Sequence, residues 1–223
     1  MHDRVTRIVA IRHGQTAWNA STRLQGHLDI PLNDIGHRQA SRLALALAEA
    51  GITALYASDL RRALQTAQAL AARIGLPVVT HSGLRERGFG LFEGLTYADI
   101  EQRWPAQALR WRHRDPDFGP EGGETLTAFY ARSVACATQL ASGHPGETIA
   151  LFAHGGVMDC LYRAATRVGL QAPRTWQLGN ASINRLLYSP EGFSLVGWSD
   201  TLHLEEVAAD EGASDAEPRE STA

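Results

Sequence analysis

This chain has only two cysteines, Cys136 and Cys160, and both fall in stretches with helical spacing. So few thiols exclude a disulfide scaffold; the expectation is a pair of core thiols and a cytoplasmic setting. No uncharged run approaches the length of a membrane span. The opening residues 1–7 lack the apolar segment of a signal peptide, so the protein is expected to be soluble. A strong charge imbalance is missing as well. The formal net charge of −3 over 223 residues offers no general attraction to nucleic acid or to an acidic membrane. An anionic ligand must therefore be held by a local cluster of cations. Several catalytic signatures are absent too: Gly-x-x-x-x-Gly-Lys, Gly-x-Gly-x-x-Gly, His-Glu-x-x-His, Cys-x-x-Cys and the serine nucleophile elbow.

What is present starts with 44% hydrophobic residues, enough for a substantial core in one large domain. The stretch Ile8-Val9-Ala10-Ile11-Arg12-His13-Gly14-Gln15-Thr16 is the point of organisation. Four aliphatic residues in a row read as a strand buried on both faces of a parallel sheet. Ligands gather at the carboxyl ends of such strands, where Arg12 and His13 fall. Ile149 to Ala153 repeats the pattern and ends in His154-Gly155-Gly156. If the two strands are neighbours, both imidazoles reach one edge.

Between them, a helix is expected from Asn33 or Asp34 towards Ala50, with Gly51 as its stop, then a strand over Thr53 to Ala57. Ser58-Asp59 should cap a helix through Ile74, followed by a short strand at Val78 to Thr80. Leu84 to Thr96 lacks either periodicity and reads as a functional loop. A short helix over Tyr97 to Trp104, closed by Pro105, precedes an irregular lid from Trp111 to Glu121. Glu124 should start a long helix to Ser142, and a further helix should run from His154 to about Val168. Ser182 to Tyr188 and Phe193 to Trp198 read as paired strands. One domain is expected over 1–205, with 206–223 an acidic, disordered tail. The fold class is α/β, with three layers: a mostly parallel sheet flanked by helices on both faces.

Arg12 beside His13 suits a phosphate, with the imidazole as the reactive group. A second arginine in the first turn of the helix after Ser58, either Arg61 or Arg62, can hold phosphate oxygens with help from the helix dipole. Either can instead pair with Asp59. Glu86 can act as a proton donor, or form an ion pair with Arg85 or Arg87.

Taken together, these blocks resemble the histidine phosphatase superfamily, the phosphoglycerate mutase-like fold. Arg12-His13-Gly14-Gln15-Thr16 with Trp18-Asn19 is similar to the segment around the family's nucleophilic histidine, and Gln25-Gly26 with Pro31-Leu32 to its next block. Ser58-Asp59-Leu60 with Arg62-Ala63 and Gln65-Thr66-Ala67 resembles the segment of the second phosphate arginine, which points to Arg62. Leu84 to Gly94 resembles the proton-donor loop, with Glu86 in that role. Gly122 to Thr125 resembles the start of a late helix, and Ala153 to Gly156 carries the second histidine.

The resemblance implies a phosphomonoesterase acting on a small phosphorylated metabolite. His13 would form a phosphohistidine, while Arg12, Arg62 and His154 bind the equatorial oxygens. Glu86 would protonate the leaving group and then activate water. Asn19 and the Gly155 amide are further phosphate donors, and no metal or other cofactor is called for. The alternative is a phosphoglycerate mutase. That family's mutases resemble one another in a longer region after the proton-donor loop, whereas 97–121 is short here and 88–94 looks phosphatase-like. A third reading is a non-catalytic phospholigand-binding protein. Trp111, Arg112 and Arg114 could reach over the site and select a second acidic group, or be solvated residues of a lid.

Overall fold

The computed structural model describes residues 5–205; the acidic segment 206–223 and residues 1–4 lie outside the described residues. Six strands form one sheet: β1 (Thr6–Arg12), β2 (Ala54–Ala57), β3 (Val78–Thr80), β4 (Thr148–Ala153), β5 (Ile183–Ser189) and β6 (Gly192–Asp200). Their order is β3-β2-β4-β1-β5-β6. The pairs β3/β2, β2/β4 and β4/β1 are parallel, while β5 runs antiparallel to both β1 and β6. The expected mostly parallel sheet is therefore found, with an antiparallel hairpin on one edge.

The two faces of the sheet follow from strand alternation. Ile8, Ala10, Ile149 and Leu151 face a core built with α6 (Leu126–Ser142) and α7 (Gly155–Thr166). Val9, Ile11, Ala150 and Phe152 face the opposite core, built with α2 (Asp34–Leu47) and α3 (Arg61–Ile74). With period two and helices on both sides, β1 and β4 need apolar residues at every central position. Full burial of leucines such as Leu43 and Leu70 stabilises these layers by roughly 1.5–3 kcal/mol each. Cys136 and Cys160 are buried free thiols, one in each helix of the first core.

Several boundaries differ from the sequence reading. A short helix α1 (Ala17–Ala20) follows β1, opened by a capping box between Thr16 and Asn19. α2 is capped by Asn33 as expected, but it ends at Leu47, ahead of Gly51. Ser58 and Asp59 do not cap α3: its N-cap is Leu60, and Asp59 instead binds Arg85 through both carboxylate oxygens at 2.7 and 2.6 Å. Pro105 stands just past the end of the short helix, as expected, and also begins a second helix that the sequence reading lacked. It follows α4 (Tyr97–Arg103) and opens α5 (Pro105–Arg112), because a proline at the first helical position forfeits no hydrogen bond. The irregular lid is accordingly reduced to the segment after Arg112. Thr125, not Glu124, caps α6. α4 and α5 form a roof over one end of the sheet with their own small core of Phe92, Ile100, Ala108 and Phe118.

Candidate active site

The register Arg12↔Ala153 makes β1 and β4 end level with each other, so His13 and His154 are side by side one residue further on. The His13 amide donates to Ala153 O at 3.0 Å, and the ring centroids are 5.2 Å apart. Gly14 then turns the chain against the first turn of α2. A Cβ on Gly14 would lie 2.6 Å from Gly36 O, so only glycine fits that approach.

The ring protons follow from the partners. His13 Nδ1 is 2.7 Å from Gly14 O, an acceptor only, so Nδ1 carries the proton and Nε2 keeps its lone pair. Burial, then the charges of Arg62 and Arg12, push the His13 pKa well below its ordinary range. His154 is the converse: Arg62 Nε donates to its Nδ1 at 3.2 Å, which places its proton on Nε2. Its pKa is likewise driven down, by burial and by Arg62, then His13 and Arg12. His154 is fully buried and stands against His13, and its Nε2 has no hydrogen-bond partner among the described residues.

Arg62, at the second position of α3, is 1% exposed and donates to Gly26 O at 2.8 Å and Leu28 O at 2.9 Å. Its neighbour Arg61 points away, with its backbone N–H bound to Asp29. Of the two, Arg62 lines the cavity, and burial lowers its pKa to about 10. Arg12 donates to Leu178 O at 2.5 Å, and its buried Nε has no partner among the described residues. Glu86 pairs with neither neighbouring arginine: Arg85 is held by Asp59, and the Arg87 guanidinium binds Glu124 O and Phe118 O. The Glu86 carboxylate accepts instead from the backbone of Arg87 at 2.9 Å and of Gly156 at 3.0 Å. Its backbone carbonyl is gripped by His27 and Arg132.

A cavity of about 600 Å³ brings together His13, Arg12, Arg62, Glu86, Asn19 and Gly155. Asn19 Oδ1 accepts from Thr16 and Asn180, so its amide N–H groups are the free end. Gly155 opens α7, whose N-terminus favours an anion. Arrayed this way, an unprotonated imidazole nitrogen, one buried and one half-buried guanidinium and a helix N-terminus can receive a phosphoryl group beside a carboxylate able to pass a proton. Among the described residues no group of three His, Cys, Asp or Glu side chains is arranged to hold a metal ion.

The far wall is made by Trp111, Arg112, Arg114, Arg174, Phe89 and Tyr97, among others. Of the residues expected to reach over the site, Arg112 is tied to Glu101 and Tyr97, and Trp111 packs against Phe92 and Phe89. Arg114 binds Asp159 at 2.7 Å. The sequence reading missed Asp159 and Asn180. Asn180 donates to His13 O at 3.0 Å and to Asn19 Oδ1 at 3.3 Å, tying the strand end to the loop. No local pattern flags it.

The chain is similar to several known proteins. Phosphoglycerate mutase-like protein 4 of Arabidopsis thaliana is 40% identical over 205 residues, 90% of this chain and 87% of that protein. The metal-independent phosphoserine phosphatase of the same plant is 35% identical over 206 residues, 91% of this chain and 85% of the relative. The native structure of a mycobacterial glucosyl-3-phosphoglycerate phosphatase superposes with a TM-score of 0.80 at 34% identity, covering 89% of this chain and all of that one. The profile of the histidine phosphatase superfamily (branch 1) matches residues 8–201, and the chain belongs to that family.

Proposed function

We propose that this protein is a metal-independent phosphomonoesterase that hydrolyses a small phosphorylated metabolite through a phosphohistidine at His13. The observation that carries the proposal is the pinning of His13 Nδ1 to Gly14 O, which leaves Nε2 as a nucleophile beside the buried Arg62 and the half-buried Arg12 guanidinium. In the first step Nε2 bonds to phosphorus as the ester P–O bond breaks, and Glu86 gives its proton to the leaving oxygen. In the second, Glu86 takes a proton from water, the water oxygen bonds to phosphorus and the N–P bond breaks. Arg12, Arg62, His154 Nε2–H, the Asn19 amide and the Gly155 N–H stabilise the charge on the equatorial oxygens. The relatives named as phosphatases for phosphoserine and glucosyl-3-phosphoglycerate support a small anionic ester as substrate.

The brevity of 97–121, which holds only α4 and α5, favours hydrolysis over a mutase reaction. The low net charge favours a free metabolite over a nucleic acid or a membrane-bound substrate, and the two free thiols fit a cytoplasmic setting. Among the described residues no helix is long and apolar enough to cross a membrane. The test is phosphate release from a panel of phosphomonoesters without added bisphosphoglycerate, paired with His13→Ala. Steady release by the parent, its loss in a folded variant and a phosphohistidine trapped under acid-avoiding conditions are expected. Full activity in His13→Ala overturns the nucleophile, and isomerisation of phosphoglycerate without phosphate release shows a mutase.

A further inference from the structure

Three residues lining the cavity carry a buried polar atom with no hydrogen-bond partner among the described residues: Arg12 Nε, Gln25 Oε1 and Asp159 Oδ1. Arg12 belongs to the phosphate end. Gln25 can present either end of its amide. Asp159 has no such freedom, since a carboxylate only accepts, and it is 5% exposed. The proposed chemistry makes no use of it.

Its other oxygen is fixed twice. Oδ2 accepts from Arg114 Nη2 at 2.7 Å and from Arg163 Nε at 3.0 Å. Arg163 in turn donates to Gly169 O and Ala172 O and lies over the Trp176 ring, and Arg114 also donates to Leu170 O at 2.7 Å. The carboxylate therefore cannot swing, and Oδ1 is held as a preorganised acceptor. A buried acceptor left unpaired costs about 1–3 kcal/mol, so a position that keeps one beside a cavity suits a donor brought by the ligand.

We infer that Asp159 is a specificity-determining residue that accepts a hydrogen bond from a hydroxyl on the leaving group of the substrate. The inference rests on the phosphatase reading. The charge balance selects the kind of donor. One carboxylate shared by two guanidiniums leaves the cluster net positive, and the exposed Arg174 lines the same cavity. An ammonium would meet that field unfavourably, whereas a neutral hydroxyl would not. The distance follows from the helix. Asp159 is three residues beyond Gly156, whose N–H binds Glu86, so it lies ~4.5 Å further along the axis of α7. A hydroxyl two or three carbons from the phosphoester oxygen spans that gap.

Competitive inhibition of the intact enzyme by three phosphonates of equal length provides the test: 3-hydroxypropyl-, n-butyl- and 3-aminopropylphosphonate. The hydroxyl compound should bind about ten-fold or more tightly than the butyl one, as expected for a hydrogen bond to a charged group. The amino compound should gain nothing over butyl. In folded Asp159→Ala the hydroxyl-to-butyl preference should fall towards one, whereas a merely structural role would weaken all three alike. Equal inhibition of the parent by hydroxyl and butyl compounds overturns the inference without any variant. Tightest binding of the amino compound overturns the choice of a hydroxyl, and an undiminished preference in Asp159→Ala overturns the residue. Failure of the phosphatase reading is distinct: no phosphomonoester would then yield phosphate.

Discussion

Replacing Arg62 with methionine separates the cost of burying a charge from its use. The guanidinium satisfies Gly26 O, Leu28 O and His154 Nδ1, at 2.8, 2.9 and 3.2 Å. Its removal orphans three acceptors, at about 1–3 kcal/mol for each that water cannot reach. Against that, the fall of the Arg62 pKa from 12.5 to about 10 means that keeping the charge inside costs roughly 3 kcal/mol. A methionine of similar length fills the space and relieves that cost. Leu28 O is only part-buried, so two orphans at about 2–6 kcal/mol stand against that relief, and Arg62→Met should fall no more than about 3 kcal/mol below the parent in a urea titration. Catalysis has no such offset. Loss of a preorganised donor to the transition state should lower kcat/KM by about 10³-fold. Inorganic phosphate supplies an independent readout. At a hundred times its Kd it should stabilise the parent by about 2.7 kcal/mol and the variant far less. An Arg62→Met protein that keeps both its activity and its stabilisation by phosphate refutes the assignment of this arginine to the anion.

The two buried histidines predict a pH dependence of stability. Both are neutral in the fold, their pKa values driven down by burial and by Arg62, whereas the unfolded chain protonates them near 6.5. Their contribution is therefore fully present above about pH 6.5 and is lost as the pH falls through the folded values. Stability read from urea midpoints should therefore fall as the pH drops from 7.5 to 5.5; the same loss in a His13→Ala, His154→Ala double variant would refute the source. Gly156→Ala probes Glu86: the added Cβ would lie 2.1 Å from Glu86 Oε1 and 2.9 Å from the Phe129 ring. The flexible carboxylate should yield first, so kcat on alkyl phosphates should fall by about 10²-fold or more, and less on p-nitrophenyl phosphate, whose leaving group needs no proton. An unchanged kcat on both would show that Glu86 is not the donor.

The parts of the fold legible in the sequence are those whose pattern is imposed by burial on both sides. Ile8 to Ile11 and Ile149 to Ala153 must be apolar throughout because helices cover each face, and no competing element produces so short an unbroken run. The boundaries that differed were decided by partners far along the chain. Asp59 is a competent N-cap by type, yet Arg85, from a loop 26 residues later, takes both of its oxygens. Pro105 breaks a helix or begins one according to the residue that precedes it. Trp104 adopts φ −139° and ψ 67°, a non-helical conformation that ends α4 and lets α5 start anew.

The candidate site divides along the same line. His13 and His154 could be placed together because strand ends in a parallel sheet share an edge, and a register between β1 and β4 is enough to pair them. Asp159 could not. Three residues past Gly156 on a helix, an aspartate reads as a solvated face, and only the arrival of Arg114 from the lid and Arg163 from one turn later buries it. The chain's overall charge is slightly negative, so the field at the phosphate end is made entirely by local placement: Arg12 and Arg62 are desolvated beside two rings kept neutral first by burial and then by these cations. Those cations add to burial in holding both imidazoles neutral and so help keep the His13 Nε2 lone pair available; the same charges that would bind the phosphate also help prepare the nitrogen that would attack it.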